Sequence, residues 1–337
     1  MNSTSTAAKI SLRLLTGFDD PAWERFSAPS VFQTPQWQQA WWENFGRGRQ
    51  LLLVLAEEDG QPVALAPLFA DSGMIYPVAS GGSDYLDFLG DVSNGRLAHM
   101  LRFASEQVPD FQGFVLYHVP DASPTGAHLK TAAEQLGWPL FDEGEQPAPA
   151  MDLVGRRDDA IAATRKKSLV RHENGLRREG TLEIRQYRTG RDIIPQLEAF
   201  FAQHIARWSP TPHPSLFLDP AQRAFYRRFC ELAGESGWLR FTRVDLNGKP
   251  IAFHLGFCYR DQFMWYKPTF DVELARSSPG EVLLRQLLLA ALEEGAKGFD
   301  FGLGDEAFKA RFATQMNTVR NWGLYPPHVV NRSREAG

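Results

Sequence analysis

Two dipeptides with the same conformational demand set the plan of this chain. Asp59-Gly60 separates apolar runs at 51–57 and 63–69, and Asn247-Gly248 separates runs at 238–246 and 250–259. Asp-Gly and Asn-Gly tolerate φ > 0 at both central positions of a two-residue turn, so each pair predicts an antiparallel hairpin. Behind each hairpin the periodicity predicts helix, strand, helix. In the first half these are 95–107, 113–118 and 125–136, with an aromatic-rich helix at 35–45 and a short strand at 84–89 ahead of them. In the second half the hairpin extends through Arg260-Asp261 into a strand at 262–267. Then come an apolar helix at 279–294, a strand at 298–301, a short helix near 305–312 and a last strand at 318–324. The expectation is an α/β (α+β) fold with a mixed sheet, duplicated along the chain.

The length, 337 residues, suits two domains. Charge divides with them: residues 1–150 hold 8 Lys+Arg against 18 Asp+Glu, and residues 151–337 hold 28 against 22. The Pro-, Gly- and acid-rich stretch 141–150 reads as the linker, giving domains at 1–150 and 151–337. The second opens with a basic helix at 158–179, continues through a strand at 181–187 and a helix at 192–208, and reaches a loop at 209–220 with four prolines. A helix at 221–233 follows. A basic helix invites an anionic partner; it serves equally as a solvated surface.

Several classes fall away. The two cysteines, Cys230 and Cys258, form no CxxC pair, and no HExxH motif or histidine cluster occurs, so no metal is expected. No apolar run approaches the ~20 residues that span a bilayer, and the opening residues lack a leader pattern, so a cytoplasmic protein is expected. A P-loop is absent, and the basic helix has no interleaved aromatics, which argues against DNA. Gly302-Leu303-Gly304-Asp305-Glu306-Ala307 matches a dinucleotide fingerprint only formally, because Asp305 and Glu306 would stand where a pyrophosphate binds.

Candidate functional residues lie in the second half. Ser278-Pro279-Gly280-Glu281 reads as a capping box, with Arg276, Ser277 and Ser278 beside a helix start that suits a phosphate, although Glu281 competes for that positive end. Asp300 stands between Gly298 and Gly302 on one face of its strand, as a general base or a helix-capping carboxylate. His254, flanked by Ala252, Gly256 and Cys258, reads as a groove-facing base or as a core histidine. Lys309 and Arg311 solvate the surface or bind an anion. One of Trp265 and Tyr266 faces away from the core, where the phenol of Tyr266 could act as an acid.

The stretch 299–312 (FDFGLGDEAFKARF), the basic segment 164–180, the strand 249–259 and the helix start at 277–280 resemble the GNAT acyltransferase superfamily. Within it they are similar to the FemAB-like branch, which includes proteins named for CelD of cellulose biosynthesis. Residues 31–42 and 84–89 also fit. The resemblance implies two tandem GNAT-like domains, the second moving an acyl group from a thioester donor to an amine of a sugar or amino-acid-like acceptor, in exopolysaccharide or envelope synthesis. It implies acyl-CoA, acetyl-CoA first, as co-substrate, with an acyl carrier protein or a charged tRNA as other donors. Under it Asp300, His254 and Tyr266 are the catalytic candidates, and Arg276, Ser277, Ser278, Gly280 and Lys309 the donor-binding ones. The backbone of the strand after Lys249 would hold the oxyanion. Only one glycine stands in the place of the usual Gly-rich pyrophosphate loop, so a non-catalytic accessory protein is the reading from another class.

Overall fold

The computed structural model describes residues 10–335, so residues 1–9, part of the opening stretch searched for a leader, lie outside the described residues. The chain divides into two compact units. One holds the residues up to Gln146 together with those from Thr318 onward; the other is Pro147–Asn317. The expected second domain, 151–337, therefore loses its last strand to the first unit.

In the first unit, strands Ile10–Leu15, Gln50–Glu58, Gln61–Asp71 and Met74–Pro77 follow one another antiparallel. Gly113–Pro120 then lies parallel to Met74–Pro77 and antiparallel to residues 319–324 of the closing strand. Helices Arg96–Glu106 and Thr125–Leu136 cover one face through Leu97, Met100, Leu101, Leu129 and Ala132. The expected strand at 84–89 shrinks to Leu89–Gly90, because Leu86 and Phe88 turn inward as single plugs instead of alternating along a ladder. The supposed linker is also strand, within Leu140–Asp152. Its acidic residues are not solvated spacers: Asp142 and Glu145 pair with Arg320, and Glu143 accepts from the Tyr325 hydroxyl.

In the second unit the order is Leu182–Tyr187, Leu239–Leu246, Lys249–Tyr259, Gln262–Phe270, Gly298–Asp300 and residues 150–152. Asn247 and Gly248 take φ of 52° and 78°, as Asp59 and Gly60 take 49° and 78°, so both dipeptides turn with the left-handed pair that a tight hairpin requires. Alternation then sorts the layers. Phe253, Leu255 and Phe257 are fully buried, and the rings of Phe253 and Phe257 pack against Phe200 and Phe229 of helices Leu197–Trp208 and Pro220–Ala233. Ala252, Phe263 and Trp265 meet helix Pro279–Glu293, whose Val282, Leu283, Leu287, Leu288 and Ala291 are sealed from solvent. Burying each such aliphatic side chain contributes roughly 1.5–3 kcal/mol, which is why this helix is apolar on nearly every side.

The expected basic helix is two helices, Arg157–Thr164 and Lys167–Glu179. Arg285 Nε donates to the Thr164 carbonyl at 2.8 Å, satisfying a group that continued helix would have used. The second piece is clamped to Pro279–Glu293 by buried Glu173, which accepts from Arg177, Arg285 and Gln286. Burial pushes the Glu173 carboxyl up, but these arginines outweigh it and hold it below the usual range.

Candidate active site

The site begins where a sheet comes apart. Gln262–Phe270 pairs in parallel with the next strand at three positions only, Gln262 with Gly298, Phe263 with Phe299 and Met264 with Asp300. Beyond Met264 the strand runs on to Phe270 without that neighbour. On its other side the register jumps: Leu255 faces Lys267 and Phe257 faces Met264, so Trp265 and Tyr266 together oppose Gly256. Two residues against one is a β-bulge, which bends the strand at the point of divergence.

A cavity of about 230 Å³ fills the gap. The free strand lines it with Trp265, Pro268, Thr269 and Phe270; the helix start with Ser278, Gly280, Glu281, Leu283 and Leu284; the far side with Phe308 and Phe312; and Arg207 and Ala275 complete it. Its wall is mostly apolar, with a few polar groups among the lining, the usual makeup of a small-molecule site.

The helix start departs from the capping box. Ser278 is in the left-handed region (φ 53°, ψ 53°) and its side chain makes no capping hydrogen bond. Glu281 does not reach back to it, because His172 Nδ1 lies 2.8 Å from one carboxylate oxygen and Arg311 3.7 Å from the other. Gly280 is required by packing: a Cβ there would meet the Phe270 ring at 3.0 Å. Ser277 Oγ lies 3.4 Å from Glu179, and Arg276 is exposed at the rim. Of the five donor-binding candidates only Ser278 and Gly280 line the cavity. Lys309 is buried and points elsewhere, donating to the Leu303 carbonyl at 2.6 Å and pairing with Glu306 at 2.7 Å, so it neither solvates the surface nor waits for a phosphate.

The catalytic candidates also separate. Asp300 ends the paired segment, half-buried beside the split, with Oδ1 accepting from Gly302 N–H at 2.8 Å. Its flanking glycines clear no space: a Cβ on Gly298 would meet Gln262, and Gly302 is glycine for its φ of 68°. His254 faces no groove. It is wholly buried between Phe263 and Trp265, and Gly256 is small because the imidazole itself occupies that volume, 2.3 Å from where a Cβ would be. Its Nε2 sits 3.2 Å from Tyr266 N–H and 3.1 Å from the Met264 carbonyl, two backbone groups displaced by the bulge. Protonated at Nδ1 the ring accepts from Tyr266; protonated at Nε2 it donates to Met264. Burial pulls its pKa down to about 3, so the ring is neutral. Tyr266 turns into the opposite layer, its hydroxyl 3.0 Å from that of Tyr226 and its ring on Phe257, and it does not line the cavity. The strand beside the split is 262–270, not the one after Lys249.

Sequence reading passed over Arg207, Thr269, Phe308 and Phe312. Phe308 and Phe312 recur at i, i+4, a spacing that predicts one shared face and could have flagged them. Arg207, at the end of a helix before the proline loop, carries no such signal. Among the described residues no group of His, Cys, Asp and Glu could hold a metal, and no helix is long and apolar enough to cross a membrane.

A family model described as an acetyltransferase (GNAT) domain matches residues 163–310. No curated protein matches the sequence. Among solved structures, FemX superposes with a TM-score of 0.65 at 12% identity, covering 94% of this chain and 97% of that one. A tandem GNAT protein from the clavulanic acid biosynthesis pathway gives 0.54 at 12% identity, with 95% and 99% covered. L-PGS from Bacillus licheniformis gives 0.52 at 13% identity, with 89% and 94% covered. At such identities the likeness is one of fold. The chain thus has a mixed α/β fold of two tandem GNAT-like units, and residues 163–310 of it are similar to the GNAT acetyltransferase domain model.

Proposed function

We propose that the second unit is an N-acyltransferase, taking an acyl group from a thioester, acetyl-CoA or another acyl-CoA, to an amine of a sugar or amino-acid-like acceptor. The supporting observation is the strand that leaves its parallel neighbour after Met264, with a cavity in the gap and a helix start at its end. A thioester arm is long and thin, and such a gap offers it a slot walled by Trp265, Phe308 and Phe312. The neutral amine attacks the thioester carbonyl and passes its proton to a base, the C–S bond breaks, and the thiolate is released as a thiol once the base returns that proton. Asp300, at the mouth of the split, accepts that proton directly or through water. Backbone N–H groups of the bulged strand hold the oxyanion. His254 supports the bulge and is a positioning residue.

Thiol release from acetyl-CoA and longer acyl-CoAs, measured over a panel of amino sugars and amino acids, tests this. Turnover is expected with at least one pair, and Asp300→Asn lowers kcat by about 10²–10⁴-fold while leaving donor binding intact. No release with any pair contradicts the reading and favours an accessory role in polysaccharide synthesis.

A second donor has one observation of its own. Arg165, Lys167, Arg171 and Arg178 line a shallow groove of about 360 Å³ along helix Lys167–Glu179, with no carboxylate in its lining. A charged tRNA would use it, and its binding would then weaken steeply with salt.

A further inference from the structure

Most half-buried arginines of this protein have an acid beside them. Arg96 meets Glu58 and Asp91, Arg240 meets Glu294, Arg243 meets Asp245, and Arg285 meets Glu173. Arg207 does not. It projects from the last turn of helix Leu197–Trp208 into the wall of the cavity, and no carboxylate among the described residues lies within ion-pair distance. Its Nη1 donates to the Pro268 carbonyl at 2.9 Å, and its plane lies over Phe270, 4.3 Å from the centroid, with Trp208 at 5.3 Å. These contacts fix the guanidinium and leave Nε and Nη2, the edge with two parallel N–H groups, without a protein acceptor. Burial alone pulls its pKa down to about 10, a cost that a neighbouring carboxylate would have offset.

A second feature belongs to the same wall. Thr269 is completely buried, borders the cavity, and its Oγ1 has no hydrogen-bond partner. With no exposed surface, that hydroxyl does not itself reach the cavity, so the grip on a ligand falls to Arg207. The acid that also lines the cavity, Glu281, is already held by His172 and Arg311.

We propose that the cavity takes a ligand whose buried end carries an oxyanion, gripped side-on by Nε and Nη2 of Arg207. A carboxylate and two oxygens of a phosphate both match that fork, and an ammonium would not serve in place of arginine. The group comes either from a carboxylate on the transferred or accepting molecule or from a phosphate of the donor. The choice between these sources rests on the acyl-transfer reading, but the test reads binding alone, so either idea can fail without the other.

The experiment uses the full chain at constant ionic strength, with succinate and inorganic pyrophosphate as the two probes, read by calorimetric titration and by the thermal midpoint. At least one probe binds saturably, and Arg207→Gln weakens it at least tenfold. Arg207→Lys, which keeps the charge but not the fork, weakens it severalfold. Arg191→Gln, on the surface, leaves affinity unchanged. Succinate as the better probe assigns the group to a carboxylate, pyrophosphate to a phosphate. Binding of neither probe, or equal affinity in wild type and Arg207→Gln, overturns the proposal. Should Arg207→Gln lose its circular dichroism, Arg207→Lys decides, and unchanged affinity there overturns the proposal equally.

Discussion

The two units repeat one arrangement and differ in what fills it. In each, a hairpin strand runs parallel to a later strand reached through a helix: Met74–Pro77 with Gly113–Pro120, and Gln262–Phe270 with Gly298–Asp300. In the first unit the space beside these strands is stopped by Leu86 and Phe88, leaving about 10 Å³, room for about one water. In the second, about 230 Å³ stays open. The helix start differs in the same direction. Both helices begin after a left-handed residue, but it is Gly95 in the first and Ser278 in the second, where a side chain bears the strain of that conformation. At these matched places the first unit is filled and relieved by glycine, and the second keeps a void beside a non-glycine left-handed residue.

The largest consequence is in packing. Phe88→Ala reopens the filled gap and costs about 3–5 kcal/mol in chemical denaturation. Phe308→Ala, which only widens a space already open, costs less than half as much. Equal losses would show that the two gaps are alike.

Acid separates the units next. His204 and His254 are both in the second unit, and burial pulls each to a pKa of about 3. Their folded values lie below the unfolded value of about 6.5, so their contribution is complete above pH 6.5 and is lost as pH falls toward 3. Between pH 7 and pH 5 each histidine lowers stability by about 2 kcal/mol. Asp87, in the first unit, has its pKa raised by burial and acts in the opposite sense, losing stability as pH rises through its folded value. Urea titrations at pH 7 and pH 5 check the sum, and His254→Asn flattens the slope; a pH-independent midpoint contradicts the burial of both rings.

Exchanging the corner residues has a smaller effect. Ser278→Gly stabilises by about 1 kcal/mol, since a strained φ is relieved and no capping bond is lost, and Gly95→Ser destabilises by a similar amount. Smallest of all on stability is Ala275→Trp, at the exposed rim of the cavity, within about 0.5 kcal/mol of wild type.

Both hairpins, the helix–strand–helix order behind them and the apolar helix were legible because each rests on local rules: turn dipeptides, period-two runs and period-3.6 runs. The divergence after Met264 was not, because nothing in FMWYKPTF says where a neighbouring strand stops. The same limit governs the side chains. Gly256 and Gly298 read as space for a functional group, yet the room is taken by His254 and Gln262 from the neighbouring structure. Ser278 and Glu281 had capping-box spacing, but the carboxylate found His172 and Arg311, residues remote in sequence. The acidic stretch at 141–150 read as a linker because Arg320, its partner, lies far along the chain.

The central claim is that the open gap of the second unit receives the acyl donor. Equilibrium binding of acetyl-CoA and a longer acyl-CoA to wild type and Ala275→Trp tests it most directly. The account predicts saturable binding by wild type, with about 2.7 kcal/mol of added stability at 100 times Kd, and its loss in the equally stable variant. Undiminished donor affinity with the tryptophan in place, or no donor binding by wild type, contradicts it.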